Sequence, residues 1–481
     1  MQILLLSLLI VVIYISTIYS SSIDADYAVV IDAGSTGSRG FIYQLFLDDN
    51  GTRKVIGTKG KKVTPGLSSF ADNPNDTVSY ILPILYDSLS LIPIEKHSKI
   101  QLYIKGTAGM RLISIEKQNN IWNELVNGLN NHHDIPFNVL LSNLGTIDGH
   151  AEAYYAVLSS NYIAGSIDGN LKRVSNVDMV GALDMGGSST QLIFHTDTNP
   201  NEPVKDEDFW SHSWLNYGVE VIRDKIHDHL INKYENDIIT NNGQISDNVI
   251  LMNPCTFKGH EHIRDQYIVR GTGDGIHCVE TIKTLVWSNY YDKCQEGKPC
   301  SVDDIKHPEI KGQFYGMSVY FYALDCIRQL GPETLHNWPK PTINELESAA
   351  HKFCETEWSI VETTMIPSPH KYTRDDQIVN RCLEGLYLVT LLEHGFGFDG
   401  DARDITLALE IEGHEVEWTL GFALAEVPLP LTKKVIDNNN NNSIKIISQA
   451  FKNFHVSIVN GFKKVFDTIK SIILSIFYVS K

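Results

Sequence analysis

The order of apolar and polar positions sets out short strands alternating with helices. Residues 27–31 and 40–47 are apolar runs of strand length on either side of a polar turn. Residues 48–60 read as a charged hairpin connection and 64–69 as a loop. Helical periodicity follows over 78–92, then a strand over 100–104 that ends in Gly106-Thr107-Ala108-Gly109-Met110-Arg111 and leads into a helix. A helix over 115–129, a strand over 137–141 and a helix over 149–162 come next. After a polar loop at 166–175, residues 180–183 and 191–194 repeat the strand–turn–strand pattern. Residues 196–313 read as loop-rich with acidic insertions. Helices are expected over 314–330, which is rich in aromatic residues, and over 343–358 and 379–394, with another beginning at Trp418-Thr419-Leu420-Gly421.

The two strand pairs share their turn chemistry. The first encloses Asp32-Ala33-Gly34-Ser35-Thr36-Gly37-Ser38-Arg39, and the second Asp184-Met185-Gly186-Gly187-Ser188-Ser189-Thr190. One such hairpin is an ordinary tight turn. Two copies, each opened by an aspartate at a strand end, form an internal repeat suited to anionic oxygens. The free N–H groups and hydroxyls of Gly34, Ser35, Thr36, Gly37, Ser38, Gly186, Gly187 and Ser188 can hold phosphate. Asp32 and Asp184 stand where a divalent cation, held through water, bridges acid to phosphate.

A chain of 481 residues exceeds one hydrophobic core. The net charge of −18 argues against a nucleic-acid partner but permits an anionic substrate neutralised locally. Residues 1–22 have the apolar core and small-residue end of a secretory signal peptide, an uncleaved signal anchor being the alternative. All seven cysteines lie between Cys255 and Cys382, so six can pair and one is left over. Asn50, Asn75 and Asn441 begin glycosylation acceptor tripeptides. These features together point to secretion or the lumen of the secretory pathway. Asn438 to Asn442 mark a linker over 431–443, before a tail over 444–481 with apolar residues at helical spacing and six lysines against Asp467. Such a basic amphipathic helix can contact an anionic membrane surface peripherally, or dock on protein.

These motifs resemble the apyrases, the nucleoside triphosphate diphosphohydrolase family, over nearly all of residues 27–425. The motifs run in order through Asp32 to Arg39, Gly106 to Arg111, Asp148-Gly149-His150-Ala151-Glu152-Ala153-Tyr154, and Asp184 to Gln191. Later landmarks are Gly395-Phe396-Gly397-Phe398 and Trp418 to Gly421. The first motif and Pro65-Gly66-Leu67-Ser68-Ser69 look closer to the soluble plant-type and Golgi diphosphatase branches than to the two-span cell-surface enzymes. The resemblance implies an α/β, actin-like fold of two ribonuclease-H-like lobes with nucleotide between them. Lobe one would be 27–147 with a return over 414–430, and lobe two 148–413. It also implies disulfides Cys255–Cys278, Cys294–Cys300 and Cys354–Cys382, leaving Cys326 free. Two positions depart from the family pattern: Ala153 replaces a glycine, and Arg381 replaces an aromatic residue that stacks on the base.

The chemistry so implied is hydrolysis of a terminal phosphoanhydride of a nucleoside tri- or diphosphate with Ca²⁺ or Mg²⁺. Phosphoryl transfer to water needs positioning and charge neutralisation, and no covalent intermediate. Glu152 would be the base for the attacking water, with Gln191 and Ser189 holding that water. The Thr107 hydroxyl would support the cation's water shell, and Arg111 would structure the site or meet a phosphate. Tyr322 and Arg381 are the candidates for stacking on the base. A catalytically weakened nucleotide-binding protein and a sugar-kinase-like phosphotransferase are the alternatives on the same fold.

Overall fold

Five strands, β1 (Asp26–Ala33), β2 (Ser38–Leu47), β3 (Arg53–Val63), β4 (Gln101–Gly106) and β5 (Leu144–Thr146), form the first sheet. Their order is β3-β2-β1-β4-β5. β1 and β2, and β2 and β3, pair antiparallel, whereas β1 and β4, and β4 and β5, pair parallel. A second sheet repeats this plan. It opens with β6 (Gly181–Met185), β7 (Ser189–His195) and β8 (Phe209–Leu215). A small sheet of β9 (Ile250–Asn253), β10 (Glu261–Arg264) and β11 (Tyr267–Gly271) is inserted before β12 (Phe314–Gly316) and β13 (Ile405–Leu407) complete it. Read from β8, the second sheet runs β8-β7-β6-β12-β13, the same topology with the same directions. The expected pair of ribonuclease-H-like sheets, the actin-like arrangement, is present. The computed structural model describes residues 25–196, 203–240, 249–287, 302–367, 370–411 and 414–428. The expected signal segment, linker and tail, and Cys294, Cys300 and Asn441, lie outside the described residues.

The main helices are α1 (Thr77–Leu91), α2 (Ile115–Asn130), α3 (Gly149–Ile163), α4 (Val219–Thr240), α5 (Gly275–Trp287), α6 (Val319–Leu330), α7 (Ile343–Cys354), α8 (Arg381–Thr390) and α9 (Trp418–Glu426). Strand pleating divides the side chains of each sheet between two cores. In β1, Val29, Ile31 and Ala33 pack with α1 and α2, whereas Ala28 and Val30 face α3 and α9. In β6, Leu183 and Met185 face the large core holding α4 to α8, and Ala182 joins the same central core as α3 and α9. The central core thus contains the inward faces of both sheets. Asp148 fixes the start of α3, accepting from Ala151 N–H at 2.7 Å. The methyl of Ala153 lies fully inside this core. Arg53 holds the C-terminal end of α9 with hydrogen bonds to the carbonyls of Ala423, Leu424 and Val427 at 2.6, 2.8 and 2.7 Å.

Four expected elements are corrected. Residues 48–60 are not only a connection: β3 begins at Arg53, and with only Arg53 and Val55 buried along this edge strand, the strand pattern was hidden. Residues 137–141 are irregular, and the strand lies at 144–146. Residues 196–313 contain β8 and the 22-residue α4, whose charge-rich surface lacks a clean apolar stripe. The aromatic run from Phe314 is a strand before it is a helix. Phe314 and Gly316 pair between β6 and β13, and Ser318, at φ 54°, breaks the chain before α6 begins at Val319.

The structure contains disulfides Cys255–Cys278 and Cys354–Cys382, and Cys326 is buried and unpaired. Among the described residues, no helix is long and apolar enough to cross a membrane.

Candidate active site

Strand register builds the two halves of the site alike. Asp32 stands opposite Arg39, and Arg39 opposite Lys62, a row across β1, β2 and β3. In the second sheet Asp184 stands opposite Gln191, and Gln191 opposite Ser213, a row across β6, β7 and β8. Paired residues share a face. Between the strands, the N–H groups of Gly34, Ser35, Thr36 and Gly37, and of Gly187 and Ser188, find no acceptor among the described residues. The two turns come close: a Cβ on Gly187 would lie 2.8 Å from Ser35 Oγ and 2.6 Å from Glu220 Oε2. Two glycines press the first turn into shape. A Cβ on Gly66 would stand 2.1 Å from the Ser35 carbonyl oxygen, and one on Gly109 2.7 Å from Ser35 Cα.

Glu152, in the first turn of α3, is 7% exposed. Its Oε2 accepts from Arg111 Nη1 at 2.9 Å and from Gln191 Nε2 at 3.3 Å. Gln191 Nε2 also donates to Ser189 Oγ and Ser213 Oγ, each at 2.9 Å, and Arg111 Nη2 donates to Ser189 Oγ at 3.1 Å. Glu152, Gln191, Ser189 and Arg111 therefore form one hydrogen-bonded cluster joining α3, β7 and the turn after β4. Burial raises the Glu152 carboxyl above its ordinary range, while Arg111 draws it back down.

Two further acids face the same space. Burial, then Glu152, pushes Asp184 up to about 6, against hydrogen bonds from the Ser318 hydroxyl and Met185 N–H. Asp32 is pushed well above the carboxylate range, by burial first and then by Glu152, Glu417 and Asp184. Asp32 keeps some exposed surface, yet its Oδ1 is shut off from solvent and accepts no hydrogen bond. A buried acceptor without a donor, beside two more acids, is the donor set a divalent cation satisfies. The described trio of histidine and acidic side chains whose ligand atoms all lie within 4.8 Å is instead the surface group His132, His133 and Asp134.

Thr107 stands at the start of the one-turn helix Ala108–Arg111; its side chain makes no cap bond there, and its N–H donates to the Ala33 carbonyl at 3.2 Å. Two expected residues fall elsewhere. Ser38 stands opposite Ala33, one step off Asp32, and so belongs to the face toward α1. It is fully buried on that face, where its Oγ accepts from the Tyr80 hydroxyl at 3.0 Å, so it does not line the face that carries Asp32. Arg381 is 8% exposed; its guanidinium is taken up by Glu384 and by Thr373 Oγ1. Buried and paired in this way, Arg381 is held in the packing of α8, which does not favour it as a stacking residue. Tyr322 is half-buried, with its ring centroid 6.1 Å from that of Tyr372.

Three residues at the site escaped sequence reasoning. Ser213 and Glu220 lie in the stretch read as loop, and Lys62 at the edge of the expected hairpin connection. The alternation Ser211-His212-Ser213 was the available signal for Ser213, a half-polar strand opposite β7.

A sequence model of the GDA1/CD39 (nucleoside phosphatase) family matches residues 19–439. The chain is 28% identical over 427 residues to nucleoside-triphosphatase ntp-1 of Caenorhabditis elegans, covering 83% of this chain and 72% of that protein. It is 26% identical over 454 residues to the Golgi apyrase of Schizosaccharomyces pombe, covering 83% and 74%. Ectonucleoside triphosphate diphosphohydrolase 8 of Bos taurus matches at the same 26%, covering 83% of this chain and 82% of its own, so identity sets no branch apart. The crystal structure of nucleoside triphosphate hydrolases from Neospora caninum superposes with a TM-score of 0.60 at 15% identity, over 83% of this chain and 92% of that one, a likeness of fold. With the match spanning most of its length, the chain belongs to the GDA1/CD39 (nucleoside phosphatase) family of hydrolases.

Proposed function

We propose that the chain removes the terminal phosphate of nucleoside tri- or diphosphates by direct attack of water, with Ca²⁺ or Mg²⁺. The observation that carries this reading is the Glu152–Gln191–Ser189 cluster set between the two hairpin turns. The N–H groups of Gly34 to Gly37 hold phosphate oxygens from one side, and those of Gly187 and Ser188 from the other. Asp32 and Asp184 would hold the cation, with the Thr107 hydroxyl beside them to support it. When bound, the cation neutralises charge on the phosphate oxygens.

The Glu152 carboxylate accepts a proton from the attacking water, which Ser189 Oγ and the Gln191 amide orient toward the terminal phosphorus. The P–O bond to the leaving phosphate breaks as the bond to the water oxygen forms, giving inorganic phosphate and the shortened nucleotide. Arg111 keeps Glu152 ionised and aimed. These groups suit water as acceptor better than a sugar hydroxyl. Tyr322, beside Tyr372, remains the proposed platform for the base.

The two disulfides suit an oxidising compartment, which supports secretion or residence in the lumen of the secretory pathway. Asn50 and Asn75 are exposed, as glycosylation acceptors need to be. Phosphate release from nucleoside tri- and diphosphates, with Ca²⁺ or Mg²⁺ and with Glu152→Ala alongside the wild type, tests the reading. Release by the wild type and loss in the variant are expected. No release from any nucleotide would sink the activity, and equal release by the variant would sink the role of Glu152.

A further inference from the structure

The two register rows differ in charge. In lobe two, Asp184 is followed by the neutral Gln191 and Ser213. In lobe one, the matching places after Asp32 hold two cations, Arg39 and Lys62. Like charges directly opposite on an antiparallel pair repel. Among the described residues neither side chain has an ion pair, and Arg39 donates only to the Gly60 carbonyl, at 3.4 Å. Their repulsion is felt at Lys62, whose ammonium is lowered from its ordinary range by desolvation first and by Arg39 next, with Asp32 and Glu220 acting in the opposite sense.

Lys62 is also placed over the first turn. A Cβ on Gly37 would lie 2.9 Å from Lys62 Cε and 2.5 Å from the Val63 carbonyl oxygen. The lysine stem therefore runs across the bare side of Gly37, beside the free N–H groups of residues 34–37. Lys62 remains exposed to solvent while Glu220 and Arg374 of the second lobe act on it electrostatically. Its stem is therefore not packed away, although its ammonium is partly desolvated. Arg374 is itself paired with Asp376 at 2.9 Å, whereas Lys62 and Arg39 have no ion pair among the described residues.

We propose that Lys62 is a phosphate-binding residue: its ammonium takes a non-bridging oxygen of the nucleotide's phosphate chain at the first turn. Arg39, opposite it, makes the pair an anion site waiting for charge. The inference rests on the nucleotide reading above and adds a charged contact that the hairpin motif itself does not contain. Gly37 is needed first because a Cβ would meet the Val63 carbonyl oxygen at 2.5 Å, and a side chain there would also crowd the lysine stem. A longer phosphate chain has more charge for the pair to meet, so triphosphate gains more from Lys62 than diphosphate.

The test uses the full chain as wild type, Lys62→Met and Lys62→Arg, with steady-state kinetics on a nucleoside triphosphate and diphosphate. Equilibrium binding of a non-hydrolysable nucleoside triphosphate is measured in parallel. Lys62→Met should raise KM and Kd for triphosphate about tenfold, the loss of one charge-assisted hydrogen bond. The effect on diphosphate should be smaller, kcat should stay within about twofold, and Lys62→Arg should recover most of the loss. Unchanged KM and Kd would overturn the proposal, as would a fall in kcat alone, which would make Lys62 only a partner of Asp32. Should Lys62→Met fold poorly by thermal melting, Lys62→Gln supplies the same comparison. A wild type that binds the analogue but hydrolyses nothing would defeat the hydrolytic reading and still test Lys62 through Kd.

Discussion

Arg111 Nη1 donates to Glu152 Oε2 across 2.9 Å, and the same guanidinium reaches Ser189 Oγ through Nη2 at 3.1 Å. One planar fork thus spans the turn after β4, the first turn of α3 and the second hairpin. Its charge is the influence that holds the buried Glu152 carboxyl down against burial. In Arg111→Ala that influence is gone, so the Glu152 pKa rises further. The acid limb of the kcat profile should move to higher pH, and kcat at neutral pH should fall about 100-fold. A pH–rate profile checks both; an unmoved acid limb would remove Arg111 from this role.

Arg381 supports structure through Glu384. Both side chains are buried and pair with each other, and Arg381 also donates to Thr373 Oγ1. Truncation to Ala leaves the Glu384 carboxylate buried without its cation, a loss of about 3–5 kcal/mol. The melting temperature of Arg381→Ala should drop accordingly, while the ratio of kcat/KM between purine and pyrimidine nucleotides stays as in the wild type. A shifted ratio with unchanged stability would return Arg381 to the base site.

Much of the fold was legible because the repeat was written twice, as Asp, a small residue, glycine and hydroxyls between apolar strands. Glu152, Gln191, Ser189 and the acids were legible through the same motifs. Ser38 was misread because a turn motif does not state pleat parity. One residue's difference from Arg39 sends its hydroxyl to Tyr80 on the other face. Arg381 was misread because composition cannot say which partner a guanidinium finds, and Glu384 lies one helical turn along α8. Lys62 and Ser213 act through strand pairing between segments far apart in the chain, and a local pattern carries no such register.

Gly66 offers a structural test of the first turn. Its absent side chain lets the loop after β3 lie against Ser35, where a Cβ would stand 2.1 Å from the carbonyl oxygen and 2.7 Å from that of Gly34. Both contacts are backbone, so Gly66→Ala must move the turn itself. A stability loss of about 1–3 kcal/mol is expected, together with a raised KM, since the N–H groups that face phosphate shift with it. Chemical denaturation and steady-state kinetics read the two effects. An alanine variant with wild-type KM would show that the turn tolerates displacement.

The last prediction concerns a cluster away from the acids. His227 on α4, His262 on β10 and His260 beside it stand in a row, with ring centroids 5.1 and 5.5 Å apart. The Nδ1 atom of each is buried without a hydrogen-bond partner. Burial, followed by His262, Arg264 and Arg223 against the opposing Asp224, lowers His227 to about 4; burial lowers His260 and His262 as well. A histidine whose folded pKa lies below its unfolded value binds fewer protons folded than unfolded, so acid favours unfolding. The stability these groups contribute is complete above about pH 6.5 and is lost as pH falls toward the His227 value of about 4. For His227, after allowance for solvent screening at this partly open cluster, the loss is about 1–2 kcal/mol. Thermal melts between pH 4 and 8 should show a steeper acid decline for the wild type than for His227→Gln, which keeps polarity but cannot titrate. Parallel curves would mean that the cluster does not set the acid limit of the fold.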